Sequence, residues 1–415
     1  MRTAIGNTLS NNKKVMENYF FMTVLQILNM CFYLLIYPFL IRTLGQEGYG
    51  LYAYAASMVF LFVTFVNFGF DLPAAQQVAL HSDDKQVLRS VLSCVQTAKI
   101  YIEMIAVLCF AVIMLINPIM GNAPCVFWIT FLQTLTFILF PQWYYQGLQK
   151  MKMVTYIQFG FRLLSLPFIF IFIKSPQDVW VFALITSLAS VLGGITAWLM
   201  IRYCDGIKIY WASIPAVKRA YLEAVPFCGS NIIGVAKEQG MILMAGSFLG
   251  MADVAIYDLA NKIMLIPRTI FSKLNDALYP KMVVRSDKET NRRVLLYEVV
   301  LGIGAMLCVA LFGPLAVYVL GGEQMMSSYG VTVILSFTIL CWLVVGVFLQ
   351  FYFVPAGYTR HILYNQIVAM SSCFIVAGVG LYFWHNVYAL AVAYAFSGLC
   401  EIFYCYIVAK NKRML

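Results

Sequence analysis

The chain has 415 residues, of which 62% are hydrophobic and 11% are charged, whereas a soluble domain has about 25% charged residues. Apolar stretches of about 20 residues recur along its whole length, which indicates a polytopic α-helical membrane protein rather than a soluble domain. The alternating ten-residue segments of a membrane β-barrel are absent. The net charge of +10 comes from basic residues scattered over short loops, so it does not predict nucleic-acid binding.

Polar breaks divide the chain into about twelve predicted membrane helices. In chain order their approximate spans are 19–42, 49–70, 91–116, 123–146, 153–173, 179–201, 220–249, 253–280, 294–320, 328–354, 362–383 and 387–409. Residues 1–18 are polar, so we expect the first helix to serve as both signal and anchor.

The basic residues predict the orientation of these helices. With a cytoplasmic N-terminus, 20 of the 28 lysines and arginines fall in the inner segments, and two fall in the outer ones. The asymmetry alternates loop by loop, as the positive-inside rule requires. It favours twelve spans with both termini in the cytoplasm.

A short string occurs twice at matching places in this topology. "TLGQEGYGLYAYA" (43–55) joins helices 1 and 2, and "FLGMADVAIYDLA" (248–260) joins helices 7 and 8. We therefore predict an N-terminal lobe of helices 1–6 (1–201), a cytoplasmic connector (202–219) and a C-terminal lobe of helices 7–12 (220–415). Two repeats of parallel topology are typical of a transporter with alternating access.

Ionisable residues inside membrane helices are costly and mark candidate functional sites. Asp258 and Lys262 are four residues apart, as are Lys99 and Glu103. Residues at this spacing lie on one helix face, so each pair is either a structural ion pair or a substrate contact.

Three cations lack an acidic residue at that spacing. Lys237 precedes Glu238, but adjacent residues do not face each other on a helix. Arg162 and Arg268 have no acid three or four residues away. These three are the best candidates for charges that face an interior cavity, and arginine suits phosphate because its planar fork donates two parallel hydrogen bonds.

Catalytic and metal-binding patterns are missing from the sequence. There is no HExxH, no CxxC and no cluster of acids with the three histidines. The predicted outer segments are at most about seven residues long, so none resembles the large outer domain of a membrane-bound polymerase or glycosyltransferase. These features argue against an enzyme and predict no metal site.

Three stretches resemble Wzx-type flippases of the multidrug/oligosaccharidyl-lipid/polysaccharide (MOP) exporter superfamily. The first runs from "ENYF" through a Pro-containing helix end to "TLGQEGYG". The second is "FVNFGFDLPAAQQVA" at the end of helix 2, and the third is "FPQWYYQGLQKMK" after helix 4. Together they cover the N-terminal half; the C-terminal half matches in helix count and in the repeated Leu-Gly turn.

The resemblance implies an all-α fold of two six-helix lobes around a cavity lined largely by helices 1, 2, 7 and 8. It implies a substrate in which an oligosaccharide, such as an O-antigen or capsule repeat unit, is linked to polyprenyl diphosphate. The substrate would cross from the inner to the outer leaflet of the bacterial cytoplasmic (inner) membrane. Membrane lipids and glycan-assembly proteins, among them a glycan polymerase, would be its partners.

The resemblance also bears on the site residues. Many members carry an arginine after the Gly-Phe of helix 2, where this chain has Ala74–Gln77. We therefore place the diphosphate or sugar contacts at four cations of helices 5, 7 and 8, namely Arg268, Arg162, Lys237 and Lys262. Some relatives use an ion gradient, so Glu238 and Asp258 are candidates for a site that binds a coupling Na⁺ or H⁺. No other cofactor is expected.

The nearest alternative is a cation-coupled exporter of drugs or other small molecules in the same superfamily. Such a protein would present acids rather than arginine to its cavity. A purely structural membrane scaffold is disfavoured, because arginine at mid-membrane has a high insertion cost and no use in a scaffold.

Overall fold

A computed structural model of the protein describes the backbone of residues 2–284, 288–358 and 360–412. Side chains outside the described set are those of residues 1–16, 19, 230, 272–288, 290, 359 and 413–415. The described residues form helices and connecting turns, without a β-strand.

Fifteen α-helices follow one another in the described part of the chain. Their bounds are α1 Arg2–Asn67, α2 Asp71–Leu80, α3 Lys85–Ile116, α4 Pro118–Asn122, α5 Pro124–Phe131, α6 Gln133–Leu139, α7 Gln142–Gly147, α8 Met151–Phe172, α9 Val179–Tyr203, α10 Ile214–Phe248, α11 Met251–Val284, α12 Lys288–Gly321, α13 Ser328–Val347, α14 Arg360–Trp384 and α15 Val387–Asn411. Two short 3₁₀ turns (Pro176–Asp178 and Glu323–Met325) and a π-helical segment (Phe348–Phe353) complete the order.

Side-chain caps fix several of the helix starts. The Asp84 carboxylate accepts hydrogen bonds from the backbone N–H groups of Gln86 and Val87 at the start of α3. Asn117 and Asn386 cap α4 and α15 in the same way. Each cap satisfies N–H groups that a helix leaves without an internal partner, which sets the boundary at these residues.

Nine helical segments in the described part of the chain are long and apolar enough to span a membrane. The first, Phe20–Asn67, has 48 residues, which is about 72 Å of helix and enough for two crossings of a core about 30 Å thick. A non-helical Gly45, with φ of 73°, divides it at the predicted outer turn. The protein is therefore a multi-pass membrane protein, and the count of twelve crossings stays a prediction because α10 and α11 are not among the nine.

The predicted fourth helix is broken into pieces. The predicted span 123–146 corresponds to one candidate membrane span, Pro124–Gly147, but the helix within it is divided into α5, α6 and α7, with interruptions at Leu132 and at Phe140–Pro141. Proline removes a backbone donor, so the second break is expected chemically. After it, Gly147 lies so close to α2 that a β-carbon there would be 2.7 Å from the Ala75 carbonyl oxygen, and the turn therefore requires glycine.

Residue contacts divide the chain into two compact units. Unit 1 contains Met1–Ile36 and Met58–Ile232; unit 2 contains Tyr37–Ser57 and Ile233–Leu415. The units are defined by internal packing, whereas the lobes of the sequence prediction were defined by helix count. The division into lobes at residues 201 and 220 stays a prediction.

Small residues allow close helix contacts inside unit 1. A β-carbon on Gly194 of α9 would be 3.0 Å from the Leu139 side chain of α6, and one on Gly193 would be 3.5 Å from Phe161 of α8. Without a hydrophobic driving force between helices in lipid, such close backbone approach is a main source of association.

Unit 2 has its own apolar core. The π-helical segment contributes Phe348, Phe351 and Phe353 to a buried cluster that also contains Val347 and Cys405. This cluster joins α13 to α15 and holds the C-terminal helices in place around the charged residues described below.

Candidate functional site

The two Leu-Gly strings meet in unit 2. Gly45 and Gly250 are equivalent in the two strings, and both have positive φ, 73° and 136°. A β-carbon on Gly50 would collide with the backbone carbonyl of Met251, and the Tyr54 hydroxyl lies 3.1 Å from Ser247 Oγ. The repeat is thus a packing corner in which one string supports the other.

Asp258 and Lys262 of α11 form an ion pair beside this corner. Lys262 Nζ lies 2.5 Å from Asp258 Oδ2, and the Tyr49 hydroxyl donates to the same oxygen at 2.7 Å. Lys262 also donates to the Tyr49 hydroxyl, and its ammonium lies 5.2 Å from the centre of the Tyr37 ring. The structure forms this pair, which is one of the two roles that the four-residue spacing allowed.

Lys237 of α10 is paired with Glu401 of α15. Lys237 Nζ lies 2.5 Å from Glu401 Oε1, and each side chain is 17% exposed. The ammonium is 3.5 Å from Ser397 Oγ and 5.0 Å from the centre of the Tyr394 ring. Asn365 donates to the other Glu401 oxygen at 3.3 Å. Sequence reasoning did not find Glu401 as a partner, because 164 residues separate it from Lys237.

Arg268 of α11 is less fully paired. Its Nη1 lies 3.9 Å from Glu238 Oε1, beyond hydrogen-bond distance, and the two side chains are 28% and 31% exposed. The guanidinium lies 5.6 Å from the centre of the Trp342 ring, in a cation–π contact. Among the described residues no hydrogen bond uses its donors, so an incoming anion could take them.

Arg162 of α8, in unit 1, is the second arginine among the predicted substrate contacts. Its Nη1 donates to Asn29 Oδ1 at 2.6 Å, and its guanidinium lies 5.7 Å and 5.8 Å from the Phe32 and Tyr33 rings. No described carboxylate lies within 4.0 Å of it. Asn29 and the two rings hold the side chain in one direction without neutralising its charge.

Lys99 and Glu103 do not form the ion pair that their spacing suggested. Lys99 Nζ instead lies 3.3 Å from Asp71 Oδ1 and 2.5 Å from Asn67 Oδ1. Glu103 Oε1 accepts from Thr134 Oγ1 at 2.5 Å. Both side chains are buried in unit 1 and tie α3 to its neighbours.

Four predicted substrate cations therefore differ in what they can bind. Lys237 and Lys262 each already face a carboxylate at 2.5 Å. Among the described residues, Arg162 and Arg268 keep donors without a hydrogen-bond partner, on a planar group suited to a diphosphate. Arg162 belongs to unit 1 and the other three belong to unit 2.

The two acids proposed for a coupling cation both already face a basic side chain. Asp258 Oδ2 is already occupied by Lys262 and Tyr49, and Glu238 faces Arg268. A hard metal ion requires several oxygen ligands at once. In the described part of the chain no three His, Cys, Asp or Glu residues gather in this way.

Comparison with known proteins places these residues in a family. A family model described as "Polysaccharide biosynthesis protein" matches residues 15–286, which is more than half of the chain. The chain belongs to this family. It is 26% identical over 274 residues to a protein of Escherichia coli K12 described as "Putative O-antigen transporter". That match covers 66% of each chain, so this family member spans about two thirds of its relative's length.

Solved structures establish the fold of this family member. The lipid II flippase MurJ, in an inward-closed conformation, aligns over 95% of this chain and 87% of its own with a TM-score of 0.69. An inward-facing multidrug-resistance MATE transporter of the MOP superfamily aligns over 94% of both chains with a TM-score of 0.67. Sequence identity is 12% in each case, so these structures show the fold. The predicted superfamily is confirmed.

Proposed function

We propose that this protein is a flippase for an oligosaccharide linked to polyprenyl diphosphate, working by alternating access in the bacterial cytoplasmic membrane. The observation that carries the proposal is Arg268 of α11, an arginine whose donors have no hydrogen-bond partner among the described residues, in a polysaccharide biosynthesis protein. The O-antigen transporter description of the Escherichia coli relative supports the same substrate class. Both termini would lie in the cytoplasm, as the distribution of basic residues indicates.

The physical problem is the transfer of a charged, hydrated headgroup through hydrocarbon. A sugar diphosphate loses its water there and finds no replacement partners, which costs many kcal/mol. Fixed guanidinium groups replace part of that hydration with charge-assisted hydrogen bonds. Arg268 would bind the diphosphate, and Lys237 and Lys262 of the same unit would join it if their own carboxylates were released. Arg162 of unit 1 is a separate candidate contact for the diphosphate or the sugar. The lipid tail would remain in the bilayer throughout.

Loss of this protein is expected to leave the lipid-linked oligosaccharide on the inner leaflet. The test compares a strain that lacks the coding region with the same strain carrying it on a plasmid. Cleavage of the glycan by a membrane-impermeant glycosidase is measured in spheroplasts, where it reports the outer leaflet. The same measurement in lysed cells gives the total amount of glycan in both leaflets. Spheroplast signal should fall to background in the deletion strain and return on complementation. Normal outer-leaflet delivery in the deletion strain would refute the flippase proposal.

A cation-coupled exporter of small molecules is the second candidate, and the MATE structural neighbour is the reason to keep it. Its substrate would be a cationic compound held by acids. Glu238 and Asp258 already face Arg268 and Lys262, which disfavours this alternative. Efflux of a cationic dye that depends on this protein, together with normal glycan delivery in the deletion strain, would support it.

Proton coupling would work through Glu238. Protonation removes the negative charge that faces Arg268, so the arginine would become available to the diphosphate; deprotonation would favour release. Glu238→Gln should therefore make transport into proteoliposomes independent of a pH gradient, whereas wild-type transport should rise several-fold with one. Glu323→Gln, at an exposed turn, is the matched control. Unchanged gradient dependence in Glu238→Gln would exclude Glu238 as the coupling site.

A further inference from the structure

A groove on unit 1 is separate from all the cations discussed so far. Its apolar part lies between α8 and α9, has a volume of about 370 Å³ and is lined by residues such as Ile157, Gly160 and Leu164. A β-carbon on Gly160 would meet nothing within 4 Å. The groove is therefore open at this glycine, on a surface where the neighbouring Leu163 and Leu164 side chains are more than half exposed.

A polar pocket continues the groove at one end. Its volume is about 450 Å³, and it shares Met153 and Met200 with the apolar part. One wall is the start of α1, where Asn18 Oδ1 accepts from the Met151 backbone N–H at 2.9 Å. The pocket lies at the turn before α8, which the basic-residue distribution predicts to be cytoplasmic. The polar end could hold a lipid headgroup, and the apolar slot could hold an acyl chain.

Among the described residues that line the polar end, two cations and two anions balance each other. Lys150 Nζ lies 2.7 Å from Asp205 Oδ1, and the Tyr144 hydroxyl donates to the same carboxylate at 2.9 Å, so this pair is satisfied internally. Lys152 and Glu17 are 4.0 Å apart and about half exposed. The Lys152 ammonium lies 5.7 Å from the centre of the Phe21 ring at the mouth of the pocket. Lys152 and Glu17 are thus beyond hydrogen-bond distance of each other and exposed enough for a ligand to contact both.

We propose that this groove binds a zwitterionic phospholipid with a phosphoethanolamine headgroup. Lys152 would bind the phosphate and Glu17 the ammonium, while one acyl chain would lie along the slot past Gly160. An anionic lipid would be recognised by an excess of basic residues, and the several negative charges of a polyprenyl diphosphate would exceed the single cation, Lys152, that is not held by a hydrogen-bonded carboxylate. The charge balance thus selects a lipid of zero net charge and separates this site from the proposed transport substrate.

The test measures bound lipid rather than transport, so it is independent of the proposed function. The purified protein is equilibrated with an equimolar mixture of phosphatidylethanolamine and phosphatidylglycerol in detergent, and retained lipid is counted by native mass spectrometry. We expect about one phosphatidylethanolamine per chain in the wild type, at least fivefold over phosphatidylglycerol. Gly160→Trp places an indole ring in the slot, and this variant should lose the bound phosphatidylethanolamine.

Two further variants make the outcome decisive. Gly378→Trp is the matched control, since Gly378 is also an exposed helical glycine with open space around it, and it should retain the lipid. The double variant Glu17→Gln/Lys152→Ala leaves the slot intact and should lose the preference for phosphatidylethanolamine. Equal retention of the two lipids by the wild type, or unchanged selective retention in both Gly160→Trp and the double variant, would overturn the proposal.

Discussion

Replacing Arg268 by alanine is expected to reduce transport of the lipid-linked oligosaccharide at least about 100-fold. The substitution removes two hydrogen bonds to an anion, each worth about 1.5–3 kcal/mol, and every 1.4 kcal/mol corresponds to about a factor of ten. Arg268→Lys should recover a part of the rate, because an ammonium keeps the charge but loses the bidentate geometry. Transport into proteoliposomes and the amount of folded protein in membranes are measured together.

Arg202→Ala provides the matched control for this substitution. Arg202 also lies over a tryptophan ring, 5.7 Å from the centre of Trp198, but it is at the end of α9 and is exposed. Its loss should leave transport within about twofold of wild type, since an exposed cation–π contact is worth about 0.5–1 kcal/mol. Full transport by Arg268→Ala would remove Arg268 from the substrate site.

Removal of either partner of the Lys237–Glu401 pair is expected to destabilise the protein strongly. An uncompensated charge left in a mostly buried position costs about 3–5 kcal/mol. Glu401→Ala should therefore lower the melting temperature markedly in detergent. Glu289→Ala removes a carboxylate that faces Arg293 at 2.5 Å with both side chains about 70% exposed. Exposed pairs contribute about 0–1 kcal/mol, so this control should melt close to wild type.

The double variant Lys237→Met/Glu401→Leu removes both charges and keeps the side-chain volumes similar. Its melting temperature should return close to that of wild type, because replacement of a buried pair by apolar residues is often neutral. Transport by this folded variant then tests whether Lys237 also contacts the substrate, and we expect transport to be reduced. A double variant as unstable as the single ones would contradict the ion-pair assignment, and full transport would remove Lys237 from the site.

Local patterns in the sequence predicted some contacts and missed others for a physical reason. Asp258 and Lys262 form an ion pair, one of the two roles that their spacing allowed, whereas Lys99 binds Asp71 and Asn67 in preference to Glu103. The i, i+4 relation makes a pair feasible, but a buried ammonium has three donors, and other helices can supply acceptors for several of them at once. Those acceptors come from distant parts of the chain, which one helix cannot reveal.

The fold and the family could be predicted because the patterns that indicate them extend over long stretches of the sequence. Apolar stretches and alternating basic loops give a helical membrane protein, and the motifs at the N-terminus give the superfamily that the comparisons confirm. The break of the fourth predicted helix was missed because an apolar run looks alike whether or not Pro141 divides it. Glu401 and Asn29 were missed because each acquires its role from a cation on another helix.

The membership of Tyr37–Ser57 in unit 2 has a consequence for biosynthesis. Tyr49 leaves the ribosome 209 residues before Asp258, its hydrogen-bond partner. At about 5–20 residues per second, this segment waits roughly 10–40 seconds in the membrane before the surface that it packs against has been made. During that time its tyrosine hydroxyls must be satisfied by lipid headgroups, water or a chaperone. The second unit therefore combines a segment that is synthesised early, Tyr37–Ser57, with residues Ile233–Leu415, which are synthesised much later.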